Sequence, residues 1–174
     1  PADVQTPFDQ SGIEAFRKLE FLLGIPEHEV PLPGGRRPSQ SDVFVLAKGL
    51  DGLVSIAVEG KVSESFDAPV EKRFAEPTPG QTTRLNFLLE LRKRDREAIG
   101  PIRYQLLHRT ASAILEAQRF GAKHAVMLVH SFSQKLAHFE DYKAFVGLYG
   151  LEAEPNRIYE VKDIGGISLS LGWS

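Results

Sequence analysis

One stretch, residues 41–62, constrains the fold of this chain more than any other. It reads SDVFVLAKGLDGLVSIAVEGKV and contains two apolar runs rich in β-branched residues, separated by a segment that ends in Asp51-Gly52. An Asp-Gly pair suits the positive φ of a tight turn, and apolar runs on both sides of such a turn are typical of a β-hairpin. The sequence therefore predicts two antiparallel strands joined at residues 48–52.

This hairpin would gather charged side chains at its open end. Side chains alternate between the two faces of a strand, so Glu59 and Lys61 share one face. A two-residue loop at Asp51-Gly52 places Asp42 opposite Lys61. A loop at Leu50-Asp51 places Asp42 opposite Glu59, on the same face. A three-residue loop or a bulge would invert this parity. We expect two carboxylates and one ammonium to converge, and the alternative is a simple ion pair at a sheet edge.

Asp42 followed by Glu59-Gly60-Lys61 resembles the PD-(D/E)XK motif of the restriction-endonuclease-like superfamily. The resemblance implies an α/β fold of three layers, with a mixed central sheet, helices on both faces and the element order αβββαβ. It also implies a nuclease that depends on Mg²⁺ or Mn²⁺, with Asp42 and Glu59 as metal ligands and Asp42, Glu59 and Lys61 as catalytic residues. Carboxylate oxygens are the hard ligands that Mg²⁺ prefers, and the ammonium could orient the attacking water.

The two carboxylates also carry an expectation about stability. Close carboxylates repel one another, and in this sequence pattern only Lys61 compensates them. Replacing Glu59 by Gln is therefore predicted to abolish metal binding and to stabilise the metal-free protein.

The segment 103–120 predicts a helix that is followed by a buried strand at residues 125–129. Apolar residues recur at helical spacing, and Gly121 is a typical residue to end the helix. A helix between two strands provides the crossover that parallel strands require. The letters RYQLLHRT, together with AVEGK at 57–61, are similar to an uncharacterised bacterial family placed in the restriction-endonuclease-like superfamily.

The first two turns of this helix are unusually polar. Tyr104 and His108 are four residues apart, as are Gln105 and Arg109, so each pair are neighbours on the helix surface. We expect these four side chains to line the site and to bind substrate. The alternatives are a solvent-facing helix start and, for His108, a packing role.

Elsewhere the patterns predict ordinary elements. Ser11 and Glu14 form a capping box before a helix at 12–23, and a second helix covers 84–96. Two short strands, 158–162 and 167–171, follow near the end, with Trp173 expected to cover the edge of the sheet.

Two basic segments are candidate phosphate contacts. Arg36 and Arg37 lie in a segment rich in proline and glycine, which predicts a loop or an edge strand. The helix at 84–96 has a basic second half that either faces DNA or complements the helix dipole. A solvated loop is the alternative for the two arginines.

Composition bounds the class of protein. The 174 residues fit one domain, and the absence of cysteine excludes disulfides and thiolate zinc sites and agrees with a cytoplasmic location. No apolar run approaches the roughly 20 residues that span a bilayer, so we expect a soluble protein with no membrane partner. The net charge of −2 lacks the basic footprint of a non-specific DNA binder.

Two functions are therefore open. The first is a Mg²⁺-dependent phosphodiesterase that acts on nucleic acid. The second is a non-catalytic binding or accessory protein of the same fold that recognises a small anionic ligand or a protein partner. The pattern Asp42 with Glu59-Gly60-Lys61 favours the first, and the near-neutral charge favours the second.

Overall fold

The computed structural model describes residues 2–92 and 96–174 and has one mixed β-sheet with helices on both faces. The strands are Glu20–Val30 (β1), Ser39–Lys48 (β2), Leu53–Lys61 (β3), His124–Ser131 (β4), Arg157–Ile164 (β5) and Ile167–Trp173 (β6). The helices are Ala2–Gln10 (α1), Val70–Arg73 (α2), Pro79–Arg92 (α3), Arg96–Ile99 (α4), Tyr104–Phe120 (α5) and Phe139–Gly147 (α6), with a turn of 3-10 helix at Glu14–Phe16.

The strand order across the sheet is β1-β2-β3-β4-β6-β5. β2 runs antiparallel to both of its neighbours, whereas β3, β4 and β6 run parallel to one another and β5 is antiparallel at the far edge. The step from β3 to its parallel neighbour β4 contains α5, as a crossover requires. The expected α/β class with a mixed sheet is confirmed.

The predicted helix at 103–120 and strand at 125–129 are confirmed as α5 and β4. α5 packs across β3, where the Ser55 hydroxyl donates to the carbonyl of Ala113 at 2.9 Å. The helix ends because Gly121 takes a left-handed φ of 65° and its N–H caps the carbonyls of Ala117 and Gln118.

The opposite face of the sheet is covered by α1 and the 3-10 turn. The rings of Phe8 and Phe16 meet edge to face at 5.3 Å between centroids, and both lie in a buried cluster with Val54, Ile56 and Val126. The sheet is therefore apolar on both sides at its centre, as expected for parallel strands.

The predicted hairpin is confirmed, and its register is the one centred on Leu50-Asp51. Lys48 pairs with Leu53, and the N–H of Gly49 donates to the carbonyl of Gly52 at 2.9 Å. The Asp51 carboxylate in this turn contacts Nε2 of His124 at 3.1 Å, which joins the turn to the start of β4.

The predicted helix at 12–23 is wrong. Helical geometry stops after the 3-10 turn, Lys18 takes a φ of +54°, and the chain continues as β1. β1 is paired with β2 along its length, so sheet pairing outweighs the helical spacing of the apolar residues. Pro26 is tolerated because β1 is an edge strand.

The predicted helix at 84–96 begins earlier, at Pro79, because Thr78 and Gln81 cap it reciprocally through side chain and backbone. Its described part ends at Arg92, and the basic residues Lys93 and Arg94 lie outside the described residues. A DNA-facing patch there is consequently untested.

The two predicted C-terminal strands are confirmed as β5 and β6. The expected role of Trp173 at the edge of the sheet is wrong, because β6 lies between β4 and β5. Its side chain is buried against the rings of Phe139 and Tyr142 on α6.

Candidate functional site

The alternation of side chains between the two faces of the sheet is interrupted within β2. The hydroxyl of Ser39 lies 2.7 Å from Nδ1 of His108 on α5, and the ring of Phe44 stacks on Phe120 of the same helix. Residues five positions apart in a regular strand lie on opposite faces, so the alternation must break between Ser39 and Phe44. Glu27 of β1 lies opposite this break and takes a φ of +51°. Regular pairs between β1 and β2 are present on both sides of Glu27.

Asp42 lies inside this break. The pairing of β2 with β3 ends at Val43 and Val58, and beyond it the Gly60 N–H donates to a carboxylate oxygen of Asp42 at 2.6 Å. Hairpin parity consequently does not place Asp42 beside Glu59 and Lys61. Of the three charged side chains that were expected to converge, Glu59 and Lys61 contact one another in the described part of the chain, and Asp42 contacts the backbone of Gly60 instead.

Glu59 is the centre of a buried cluster. Its Oε1 accepts hydrogen bonds from Nζ of Lys61 at 2.9 Å and from Nε2 of Gln105 at 2.6 Å. Its Oε2 accepts one from Nε of Arg109 at 2.6 Å. The expectation that the first half of α5 faces Glu59 is confirmed for Gln105 and Arg109. We call Glu59, Lys61, Gln105 and Arg109 the Glu59 cluster.

The other two predicted residues on α5, His108 and Tyr104, differ in how closely they approach this cluster. Nδ1 of His108 lies 2.7 Å from the hydroxyl of Ser39 and 3.5 Å from Nη1 of Arg109, and this Nη1 donates to the same hydroxyl at 3.2 Å. The ring of Tyr104 contacts His108 at 4.7 Å between centroids, and the guanidinium of Arg73 lies over the Tyr104 ring at 4.5 Å. Tyr104 therefore lines a different part of the molecule.

Sequence reasoning missed Ser39 and Phe66. Ser39 is 1% exposed and links His108 to Arg109, while Phe66 presents its ring 5.1 Å from Nζ of Lys61. Neither residue carries a motif. Their roles follow from tertiary contacts that strand and helix periodicity do not specify.

The charges of the Glu59 cluster are unequal. One buried carboxylate is paired with two cations, Lys61 and Arg109. A further carboxylate, Glu64, lies 3.9 Å from Lys61, but it is 56% exposed and therefore well screened by water. The pKa of Glu64 is lowered, mainly by a hydrogen bond from its own backbone N–H. Burial opposes this shift, and the backbone N–H groups of Ser63 and Val62 and the charge of Lys61 add to it.

This arrangement does not fit the Mg²⁺ or Mn²⁺ that the resemblance implies. Such a cation needs carboxylate oxygens with available lone pairs in open coordination positions, whereas both oxygens of Glu59 accept short hydrogen bonds from nitrogen donors. Among residues 2–92 and 96–174, no three His, Asp or Glu side chains are grouped so that they could hold a metal ion.

None of the helices in the described part of the chain is long and apolar enough to cross a membrane. No curated protein and no solved structure gives a significant match to the chain. A family model with the description "Domain of unknown function (DUF6946)" matches residues 1–174. The chain belongs to this family, DUF6946.

Proposed function

We propose that this chain is a restriction-endonuclease-like domain that recognises an anionic ligand without metal-dependent turnover. The order of its elements supports the fold. A helix precedes three strands in the order β1-β2-β3, and α5 then leads to β4, which lies parallel to β3. This is the αβββαβ order that the resemblance implies.

The observation that carries the proposed function is the set of hydrogen bonds that Glu59 accepts. Its side chain is 4% exposed, and its two oxygens accept three hydrogen bonds from Lys61, Gln105 and Arg109. A divalent cation would have to displace these donors and approach two positive charges. The side chains of the Glu59 cluster alone carry one positive charge in excess, which favours an anion over a cation, although the carboxylates of Glu64 and Asp42 lie nearby.

Titration calorimetry with MnCl₂ tests this proposal. We expect no saturable heat at millimolar Mn²⁺ and no change in the melting temperature of the protein, because a ligand that does not bind the folded state cannot stabilise it. Saturable binding that Glu59→Gln removes would overturn the proposal.

A metal-dependent nuclease is the second candidate, and one observation favours it. Asp42 reaches the backbone of Gly60, which stands between Glu59 and Lys61, so the charged side chains of the motif come from adjacent strands and flank one residue. If the protein is a metal-dependent nuclease, the purified protein will cleave labelled DNA or RNA in the presence of Mg²⁺ or Mn²⁺. Glu59→Gln and Asp42→Asn will then abolish cleavage, whereas a contaminating nuclease would remain active in both variants.

A further inference from the structure

We propose that a pocket lined by arginines, separate from the Glu59 cluster, binds a terminal phosphate group. This inference rests on the proposed recognition of an anion and names the ligand class and its place. The pocket has a volume of about 280 Å³, and no carboxylate is among its lining residues. The polar side chains that line it are those of Arg36, Arg37, Arg73, Gln81, Arg84 and Tyr104. We call it the arginine pocket.

Arg84 builds one wall of the arginine pocket. Its Nε donates to the carbonyl of Pro33 at 2.8 Å, and its Nη2 donates to the carbonyls of Leu32 and Arg37, both at 3.0 Å. The side chain is buried, so these bonds fix the loop that carries Arg36 and Arg37. Arg84 is therefore a positioning residue for the loop.

Close backbone contacts hold the same loop in place. Gly34 takes a φ of +78°, and a Cβ at this position would overlap the carbonyl oxygen of Gly80 and the backbone nitrogen of Arg84 on α3. Only glycine allows this approach. The loop is thus held against α3 before a ligand arrives, which reduces the entropy cost of binding.

Three arginines have donors for a ligand. Arg36 and Arg37 are exposed and have no ion-pair partner within residues 2–92 and 96–174. Arg73 uses one nitrogen, Nη1, for Asp67 at 2.7 Å, while its guanidinium is held over the ring of Tyr104. The forked donors of arginine match the oxygens of a phosphate, and more so when the plane of the guanidinium is fixed.

Charge and size indicate the class of ligand. The whole chain has a net charge of −2, yet four arginines and no acidic residue line this pocket in the described part of the chain. Even with Asp67 paired to Arg73, positive charge is therefore concentrated here. A terminal phosphate carries up to two negative charges and offers three oxygens. The volume exceeds that of a bare phosphate, so a group attached to the phosphate can enter as well. The source is either a small phosphate ester or the phosphorylated end of a nucleic acid.

The test is a calorimetric titration of the full chain at fixed ionic strength with inorganic phosphate. A 5′-phosphorylated oligonucleotide and the same oligonucleotide without its phosphate are titrated in parallel. We expect the wild type to bind phosphate saturably. We expect Arg36→Gln and Arg73→Gln each to bind phosphate at least about tenfold more weakly. The matched control is Arg17→Gln, which removes an exposed arginine paired with Glu14 outside the pocket and should change the affinity less than twofold.

Each outcome separates the two proposals. Phosphate binding that is equally strong in the wild type, Arg36→Gln and Arg73→Gln would overturn the arginine pocket and leave anion recognition standing. No binding of either phosphate-bearing ligand by the wild type would overturn the arginine pocket, while the titration with Mn²⁺ tests the proposed function separately. Metal-dependent cleavage together with arginine-dependent phosphate binding would overturn the claim that the protein has no metal-dependent turnover. The arginine pocket would stand. Arg36 is exposed, so Arg36→Gln tests the pocket even if Arg73→Gln loses stability with its Asp67 ion pair.

A stronger affinity for the phosphorylated oligonucleotide than for inorganic phosphate would identify nucleic-acid ends as the source. Equal affinity, with no contribution from the nucleotides, would identify small phosphate esters. Equal binding of the phosphorylated and unphosphorylated oligonucleotides would overturn recognition of a terminal phosphate.

Discussion

At the scale of single residues, Glu59 has a different role from the one that its sequence neighbours indicate. The motif provides one cation, Lys61, two positions away, and the structure adds Arg109, which is separated from Glu59 by 50 positions. Two buried cations thus depend on one carboxylate. The expected repulsion between Asp42 and Glu59 is replaced by attraction between Glu59 and its two partners, and the expected effect of removing its charge changes sign.

We predict that Glu59→Gln lowers the free energy of unfolding of the metal-free protein by about 3–5 kcal/mol, because it leaves two buried cations without their counter-ion. Urea denaturation would measure this change. The matched control is Glu64→Gln, for which we expect a change below about 0.5 kcal/mol because Glu64 is mostly exposed. A variant at Glu59 as stable as the wild type would contradict the counter-ion role.

Helix periodicity was sufficient to bring Gln105 and Arg109 to Glu59, since residues four apart share one face of α5. Strand periodicity was not sufficient for Asp42. The break in β2 is matched by a positive φ at Glu27, a residue of another strand, so the sequence of the hairpin alone does not encode it.

At the scale of elements, the same apolar spacing was correct for α5 and wrong for residues 12–23. α5 buries its apolar stripe mainly against β3 and β4. In the segment where the prediction failed, residues 20–30 pair with β2. Hydrogen bonds to this separate strand override the local helical preference. A single sequence carries little information about such pairing.

The left-handed end of α5 leads to a prediction with a built-in control. Gly121→Ala should lower the free energy of unfolding by about 1 kcal/mol, because alanine is strained at a φ of 65°. Gly147→Ala, in the last turn of α6, has no positive φ and no atom within 4 Å of the new Cβ, so it should stabilise by about 0.5–1 kcal/mol. Thermal denaturation of both variants would measure the contrast. Equal effects of the two substitutions would show that the cap of α5 is not strained by a side chain.

The contact between the hairpin turn and β4 predicts a dependence on pH. The hydrogen bond from the His124 ring, more than any other cause, lowers the pKa of Asp51 below its ordinary value. A lowered pKa in the folded state stabilises the protein above the ordinary aspartate pKa, and this stability is lost as the pH falls through the lowered value. The wild type should therefore be more stable than Asp51→Asn at pH 6. This difference in stability should shrink as the pH falls through the ordinary aspartate pKa towards the lowered pKa of Asp51. A difference that stays constant down to strongly acidic pH would contradict the contact.

At the scale of the whole molecule, the sheet is unevenly protected. The five residues from Ala125 to Val129 in β4 are fully buried, whereas β1 at the edge is exposed along most of its length. We predict that amides of β4 exchange with deuterium only through global unfolding, while amides of β1 that bond to β2 exchange through local opening. Native-state hydrogen exchange followed by NMR would measure both. Equal protection of the two strands would show that β1 does not open separately.

Tyr104 stands between the two polar regions of the molecule. Its ring contacts both Arg73 in the arginine pocket and His108, from which hydrogen bonds lead through Ser39 to Arg109. Any energetic coupling between the two sites through this contact must be reciprocal. Whatever factor a bound phosphate adds to the strength of the ion pairs around Glu59, intact ion pairs must add to the affinity for phosphate.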